Sequence, residues 1–175
     1  EEPPEGVLFL LTADSLAGVL PTIRSRCISF AVAPVSPEDC ARYCTAQGVG
    51  AKDAALYSAL FDGHIGTVLA AARDEARREQ VDRALALAKA AAARDSYAAA
   101  VLLAAYEKDK AGASALLADF RAVAAAGLRD SSHSPVEGET ARKALGAADA
   151  AMQQIGAQVN PKIVLSVLAA KFRTF

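Results

Sequence analysis

From Pro34 to Phe175 the sequence is written in helix starts and helix stops, which commits most of the chain to an all-helical fold. Ser36-Pro37-Glu38-Asp39 supplies a cap, a proline at the first helical position and acids in the first turn; Gly48-Val49-Gly50 ends the helix so begun. A second helix is predicted over roughly Lys52 to Phe61, broken by Asp62-Gly63, and a third from near His64 through Leu69 toward Arg73. Further helices are predicted at about Gln80 to Ala93, Ser96 to Tyr106, Lys110 to Arg129, Glu139 to Gln158 and Pro161 to Phe172, with Asp130 to Pro135 as a polar loop among them. The last has the sharpest start: Asn160 caps it, Pro161 fills its first turn, and Ile163, Val164, Val167, Leu168 and Phe172 are predicted to form one apolar face that docks as a core or interface helix.

Composition agrees with this pattern. A chain of 175 residues that is 53% hydrophobic has enough apolar material for one sizeable core or two small ones. Alanine dominates, Trp is absent and aromatics are only 6%, which favours closely packed helices over a sandwich or barrel. Nineteen Lys and Arg against twenty Asp and Glu leave a net charge of -1, so no whole-chain field attracts nucleic acid or an anionic membrane. Uninterrupted apolar runs such as Ala98 to Tyr106 fall far short of the roughly 20 residues that span a bilayer, and no membrane association is expected. The chain reads as cytoplasmic. Cys27, Cys40 and Cys44 make neither a disulfide framework nor a zinc site, and are expected to be reduced structural thiols.

The first 33 residues follow a different pattern. Val7 to Thr12 and Cys27 to Val32 are compact apolar runs that suit buried strands, bounded by Gly6, Asp14 and Pro34, with a short helical turn near Ser15 to Val19 between them. Glu1-Glu2-Pro3-Pro4 reads as the end of a helix followed by prolines that cannot continue it, so the chain is read as a fragment whose upstream part was cut away. The segment Arg73 to Arg83 suits either a solvated linker or a helix with one exposed face; its mixed charges favour the helix, and a domain boundary is expected there.

Between the two runs lies Leu20-Pro21-Thr22-Ile23-Arg24-Ser25-Arg26-Cys27. It resembles the Ser-Arg-Cys motif of clamp-loader ATPases. Glu1 to Pro4, Val7 to Thr12 and Leu20 to Cys27 also stand in the order and spacing seen near the end of the ATPase domain in bacterial DNA polymerase III clamp-loader subunits. The resemblance implies a mainly α chain in three parts: the end of an AAA+ α/β ATPase domain over 1–33, a three-helix lid domain over 34–74, and a helical collar domain for oligomerisation over 75–175. In the family's sheet the two strands are not neighbours, because the phosphate-loop strand lies between them. Residues 1–33 are therefore expected to be poorly ordered, rearranged, or completed by further chain.

The resemblance also assigns chemistry. ATP hydrolysis builds negative charge on the transferred phosphoryl group, and a planar, permanently charged guanidinium from an adjacent subunit stabilises it. Arg26 is the candidate finger, acting in trans on ATP-Mg held by a neighbouring subunit; the fragment itself is expected to bind no cofactor and to have no activity alone. Arg24, Ser25 and Cys27 support it, with Cys27 read as a packing residue that begins a buried strand, so that Arg26 sits at the edge of a rigid element. Thr12 ends the first strand where family members place a polar residue facing the outer phosphate; the competing reading is a strand-end threonine with a local hydrogen bond. Active members carry a lid arginine where Gly63 to Leu69 here places Thr67, which favours the non-motor, delta-prime type of subunit. Its implied partners are the gamma/tau and delta subunits through the collar, and the sliding clamp and primed DNA through the assembly. Two alternatives stay open: the ATP-hydrolysing gamma/tau-type sibling, and a structural helical adaptor. His64 and His133 have no second ligand or nucleophile at useful spacing. Arg73, Arg77, Arg78 and Arg83 alternate with Asp74, Glu75, Glu79 and Asp82, which argues against a nucleic-acid patch.

Overall fold

The computed structural model describes residues 4–13, 15–32 and 35–175, and divides the chain into two compact units, Glu1–Ala33 and Pro34–Phe175. Asp14 and Pro34, taken above as segment bounds, and Glu1-Glu2-Pro3 lie outside the described residues.

In the first unit Ser15 caps a 3₁₀ turn, Leu16–Gly18, its Oγ accepting from the Ala17 amide at 3.2 Å. A four-residue helix follows, α1 (Pro21–Arg24), with proline at its first position. Neither Val7 to Thr12 nor Cys27 to Val32 forms a strand among the described residues, which corrects the expectation of two buried strands. Both lie open to solvent: Phe30 is 85% and Val32 93% exposed. A strand is held by its neighbours' backbone groups, and here neither run has a neighbouring strand to pair with. Cys27 is likewise exposed instead of packed.

The second unit is helical throughout: α2 (Pro37–Ala46), α3 (Ala51–Leu60), α4 (Ile65–Arg73), α5 (Glu75–Ala92), α6 (Ser96–Ala104), α7 (Lys110–Arg129), α8 (Gly138–Gly156) and α9 (Pro161–Lys171), with 3₁₀ turns at Ser131–His133 and Phe172–Thr174. The chain as described is mainly α. Side-chain oxygens cap most of these helices: Ser36 accepts from the Asp39 amide, Asp74 from Ala76, Asp95 from Tyr97 and Ala98, Asp109 from Gly112, and Asn160 from Lys162. The Asp74 cap explains why α5 begins five residues before the predicted Gln80. The charged segment is thus helical, and a single residue, Asp74, separates α4 from α5.

The turn between α3 and α4 depends on glycine. Gly63 has φ +74°, and a Cβ there would stand 1.8 Å from the Val35 carbonyl oxygen. That close approach seats the start of the α2 segment against the end of α3.

The longest packed interface joins α7 and α8. Buried Ala141, Ala144, Ala148, Ala151 and Ile155 recur on α8 at alternating spacings of three and four, a seam of small side chains that lets α7 come close. The facing α7 buries Leu116, Leu117, Phe120 and Val123. By length and mean apolarity α7 is able to cross a membrane, although no uninterrupted apolar run in it is long enough; half of its most apolar window is buried inside the bundle, as in a core helix. Helices α5 and α7 pack together, α4 packs on α5, and α3 touches α7, so the helices on either side of Asp74 share buried contacts.

α9 corrects one expectation. Val164, Leu168 and Phe172 are buried as predicted, with Leu165 beside them, but Ile163 and Val167 point outward. The helix has two apolar stripes rotated from one another, and the bundle covers one.

Candidate functional site

Residues 20–27 form a compact, locally bonded turn. Leu20 precedes Pro21, whose ring fixes φ for the first turn of α1, and the Ile23 and Arg24 amides both donate to the Leu20 carbonyl, at 3.0 and 3.1 Å. Ser25 closes the helix: its amide donates to the Pro21 carbonyl at 3.0 Å and its hydroxyl to the Thr22 carbonyl at 3.2 Å. The chain then tightens again, with the Arg26 amide donating to the Ile23 carbonyl and the Cys27 amide to that of Arg24. Ser25 is thus a helix-ending residue whose side chain and backbone both serve the turn. Arg24 is the last residue of α1 and Arg26 lies just beyond it, and both are solvent-exposed. The rigid element behind Arg26 is this bonded turn, in place of the predicted strand edge.

Thr12, the last residue of the first apolar run, is also exposed. Thr67 lies in the first turn of α4 and is half-buried.

The other polar residues have local tasks. His64 Nδ1 lies 2.6 Å from the Phe61 carbonyl oxygen, and His133 Nδ1 lies 2.7 Å from the Ser132 hydroxyl and 3.4 Å from Asp130. Cys40 and Cys44 are buried one helical turn apart on α2, and burial pushes the Cys44 thiol up, with Cys40 adding to the shift. Among the described residues no group of three or more His, Cys, Asp or Glu side chains stands close enough to hold a metal ion.

The arginines around the α4–α5 junction are used inside the fold. Arg73 donates to the Gln47 carbonyl at 3.1 Å, Arg78 to that of Ala72 at 2.7 Å, and Arg83 to the Tyr106 hydroxyl at 3.0 Å and to Glu79. Arg77 pairs with Asp119 of α7 and lies over the Phe61 ring, 5.5 Å from its centre. Sequence reading missed this pair, for its partners are 42 residues apart. It missed as well the outward apolar stripe of α6, whose signal was present in a helix apolar on every side.

Comparison with known proteins bears on the first segment alone. A family model described as "DNA polymerase III, delta subunit" matches residues 1–36, and no curated protein and no solved structure matches the chain. The matched stretch contains both apolar runs and the whole turn from Leu20 to Cys27. Over residues 1–36 the chain is therefore similar to the DNA polymerase III delta subunit family.

Proposed function

We propose that this chain is a non-motor, delta-prime-type subunit of a DNA polymerase III clamp loader, which supplies Arg26 in trans to ATP-Mg on a neighbouring subunit. The observation that carries this reading is the family match over 1–36, since those residues include the motif itself. The chemistry fits: an exposed guanidinium following a proline-started, hydrogen-bonded turn has a backbone fixed before it meets a phosphate. Thr67, which carries no charge, supports the non-motor assignment over the ATP-hydrolysing sibling. In this reading residues 34–74 act as the lid, and 75–175 as the collar that holds gamma/tau and delta subunits in a ring. The assembly, working inside the cell, opens a sliding clamp and places it on primed DNA.

Reconstitution of the chain with ATP-hydrolysing partner subunits, clamp and primed DNA tests the proposal. Arg26→Ala should lower DNA-stimulated hydrolysis at the served site by roughly a thousandfold, the scale of arginine fingers in other nucleotide hydrolases, and Arg26→Lys should rescue little of it. Unchanged hydrolysis in an assembly that still forms would end the finger assignment.

A further inference from the structure

α6 and α9 pack side by side in opposite directions: Lys162, at the start of α9, reaches Glu107 beyond the end of α6 at 3.3 Å, and α6 also packs on the 3₁₀ turn after α9. Each helix buries one face in the bundle, Ala99 and Leu103 on α6 and Val164, Leu165 and Leu168 on α9. Each also carries a second stripe that the bundle leaves uncovered. On α6 this stripe is Tyr97, Ala100, Val101 and Ala104, and on α9 it is Ile163, Ser166, Val167 and Ala170. Both repeat at i, i+3, i+4 and i+7, the spacing at which one face of a helix meets another helix. Tyr97 is 79%, Val101 58%, Ile163 59% and Val167 47% exposed, and no charged residue interrupts either stripe. A helix apolar on all sides belongs in an interior, yet α6 shows half its circumference to solvent.

The margin of this face says what would cover it. Lys162 and Lys171 bracket the α9 stripe and Arg173 follows; Arg94 and Lys108 flank α6; all five are exposed. Three acids stand nearby, Asp95, Glu107 and Asp109, and Glu107 pairs with Lys162. Five cations against three acids leave the margin positive on a chain whose net charge is -1. A second copy docked face to face would set these cations against one another. We propose that the outer faces of α6 and α9 form one docking surface for an amphipathic helix of another protein, whose apolar stripe is flanked by aspartate and glutamate. This adds a surface and a partner chemistry to the assembly role above, and does not depend on the arginine turn. The small side chains of Ala100, Ala104, Ser166 and Ala170 let a partner backbone come close, while Tyr97, Val101, Ile163 and Val167 supply the apolar contacts.

The test titrates the chain against two dye-labelled synthetic helices with the same leucine stripe, one flanked by glutamates and the other by lysines, followed by fluorescence anisotropy. The glutamate helix should bind about tenfold more tightly or better, and the preference should shrink with added salt. Val101→Asp and Val167→Asp should each weaken binding by about tenfold or more with unaltered circular dichroism, since both side chains are exposed. The Lys162→Glu, Lys171→Glu double variant should reverse the preference. Arg26→Ala should bind as the unaltered chain does, which separates this surface from the finger. Equal binding of both helices, binding of neither, or indifference to both Asp variants would overturn the proposal. A chain that sediments as a dimer, dissociated by Val101→Asp, would also overturn it by making a second copy the occupant.

Discussion

Arg77, in the first turn of α5, and Asp119, in the middle of α7, meet in a two-pronged ion pair: Nη2 donates to Oδ1 at 2.7 Å and Nη1 to Oδ2. The carboxylate is buried, and the guanidinium is closed on its other side by the Phe61 ring of the turn after α3. Hydrogen bonding to Asp119 is the main reason the Arg77 guanidinium is held above its ordinary pKa. One side chain thus ties three parts of the helical unit together.

Breaking this pair should be costly. Asp119→Ala leaves a partly buried cation facing apolar side chains, and Arg77→Ala leaves a buried carboxylate without its donor. Because Arg77 retains some solvent contact, the expected loss is about 2–3 kcal/mol for either variant, below the 3–5 of a fully buried pair. Urea denaturation followed by circular dichroism checks it. A midpoint unchanged in both variants would show that the pair contributes nothing. The raised Arg77 pKa means that its share of stability is complete below the ordinary arginine value and is lost only as pH rises through the folded one, so no alkaline weakening from this pair is expected in the working range.

Gly63 should not tolerate alanine. Its positive φ and the Val35 carbonyl 1.8 Å from the site of a Cβ combine backbone strain with a clash against main chain, which cannot rotate away. Gly63→Ala should cost about 3 kcal/mol or more. A thermal melt resolves an effect of this size, and wild-type melting would refute the close approach.

Ser58 gives the opposite expectation. Its hydroxyl, on α3, is buried with no hydrogen-bond partner among the described residues. Removing an unsatisfied polar atom relieves a desolvation cost, so Ser58→Ala should be neutral or stabilising by up to about 1 kcal/mol. A clear fall in the urea midpoint would mean that the hydroxyl has a partner in solution.

Glu139 gives α8 an expected dependence on acid. Glu139, in the first turn, accepts from Arg142 Nε at 2.8 Å and Nη2 at 2.5 Å, and this bonding holds its carboxyl below the usual glutamate range. A depressed folded pKa gives stability that is present above the unfolded pKa and lost as pH falls through the folded value. Glu139→Gln should therefore be less stable than the unaltered chain at neutral pH, and the difference should vanish in strongly acidic buffer. Melting temperatures of the two proteins across the acid range check the sign; a gap that widens on acidification would reverse it.

Helix positions in residues 35–175 were legible in sequence because capping is local. Ser36, Asp95, Asp109 and Asn160 each bond an amide two or three residues ahead, and Pro37 and Pro161 fix the first turn without any help from the rest of the fold. The family resemblance carried by Leu20 to Cys27 was legible because its residues are contiguous.

Tertiary structure alone decided the rest. Whether Val7 to Thr12 and Cys27 to Val32 become strands depends on a neighbouring backbone, which no run of apolar residues specifies for itself. Which stripe of α9 is buried depends on where α6 lies, so Val164 went inside and Ile163 outside although the two are adjacent and equally apolar. The union of Arg77 with Asp119 depends on how α5 crosses α7. Caps and turns are settled by neighbours along the chain, whereas pairing, facing and long-range charge contacts are settled by what packing brings together.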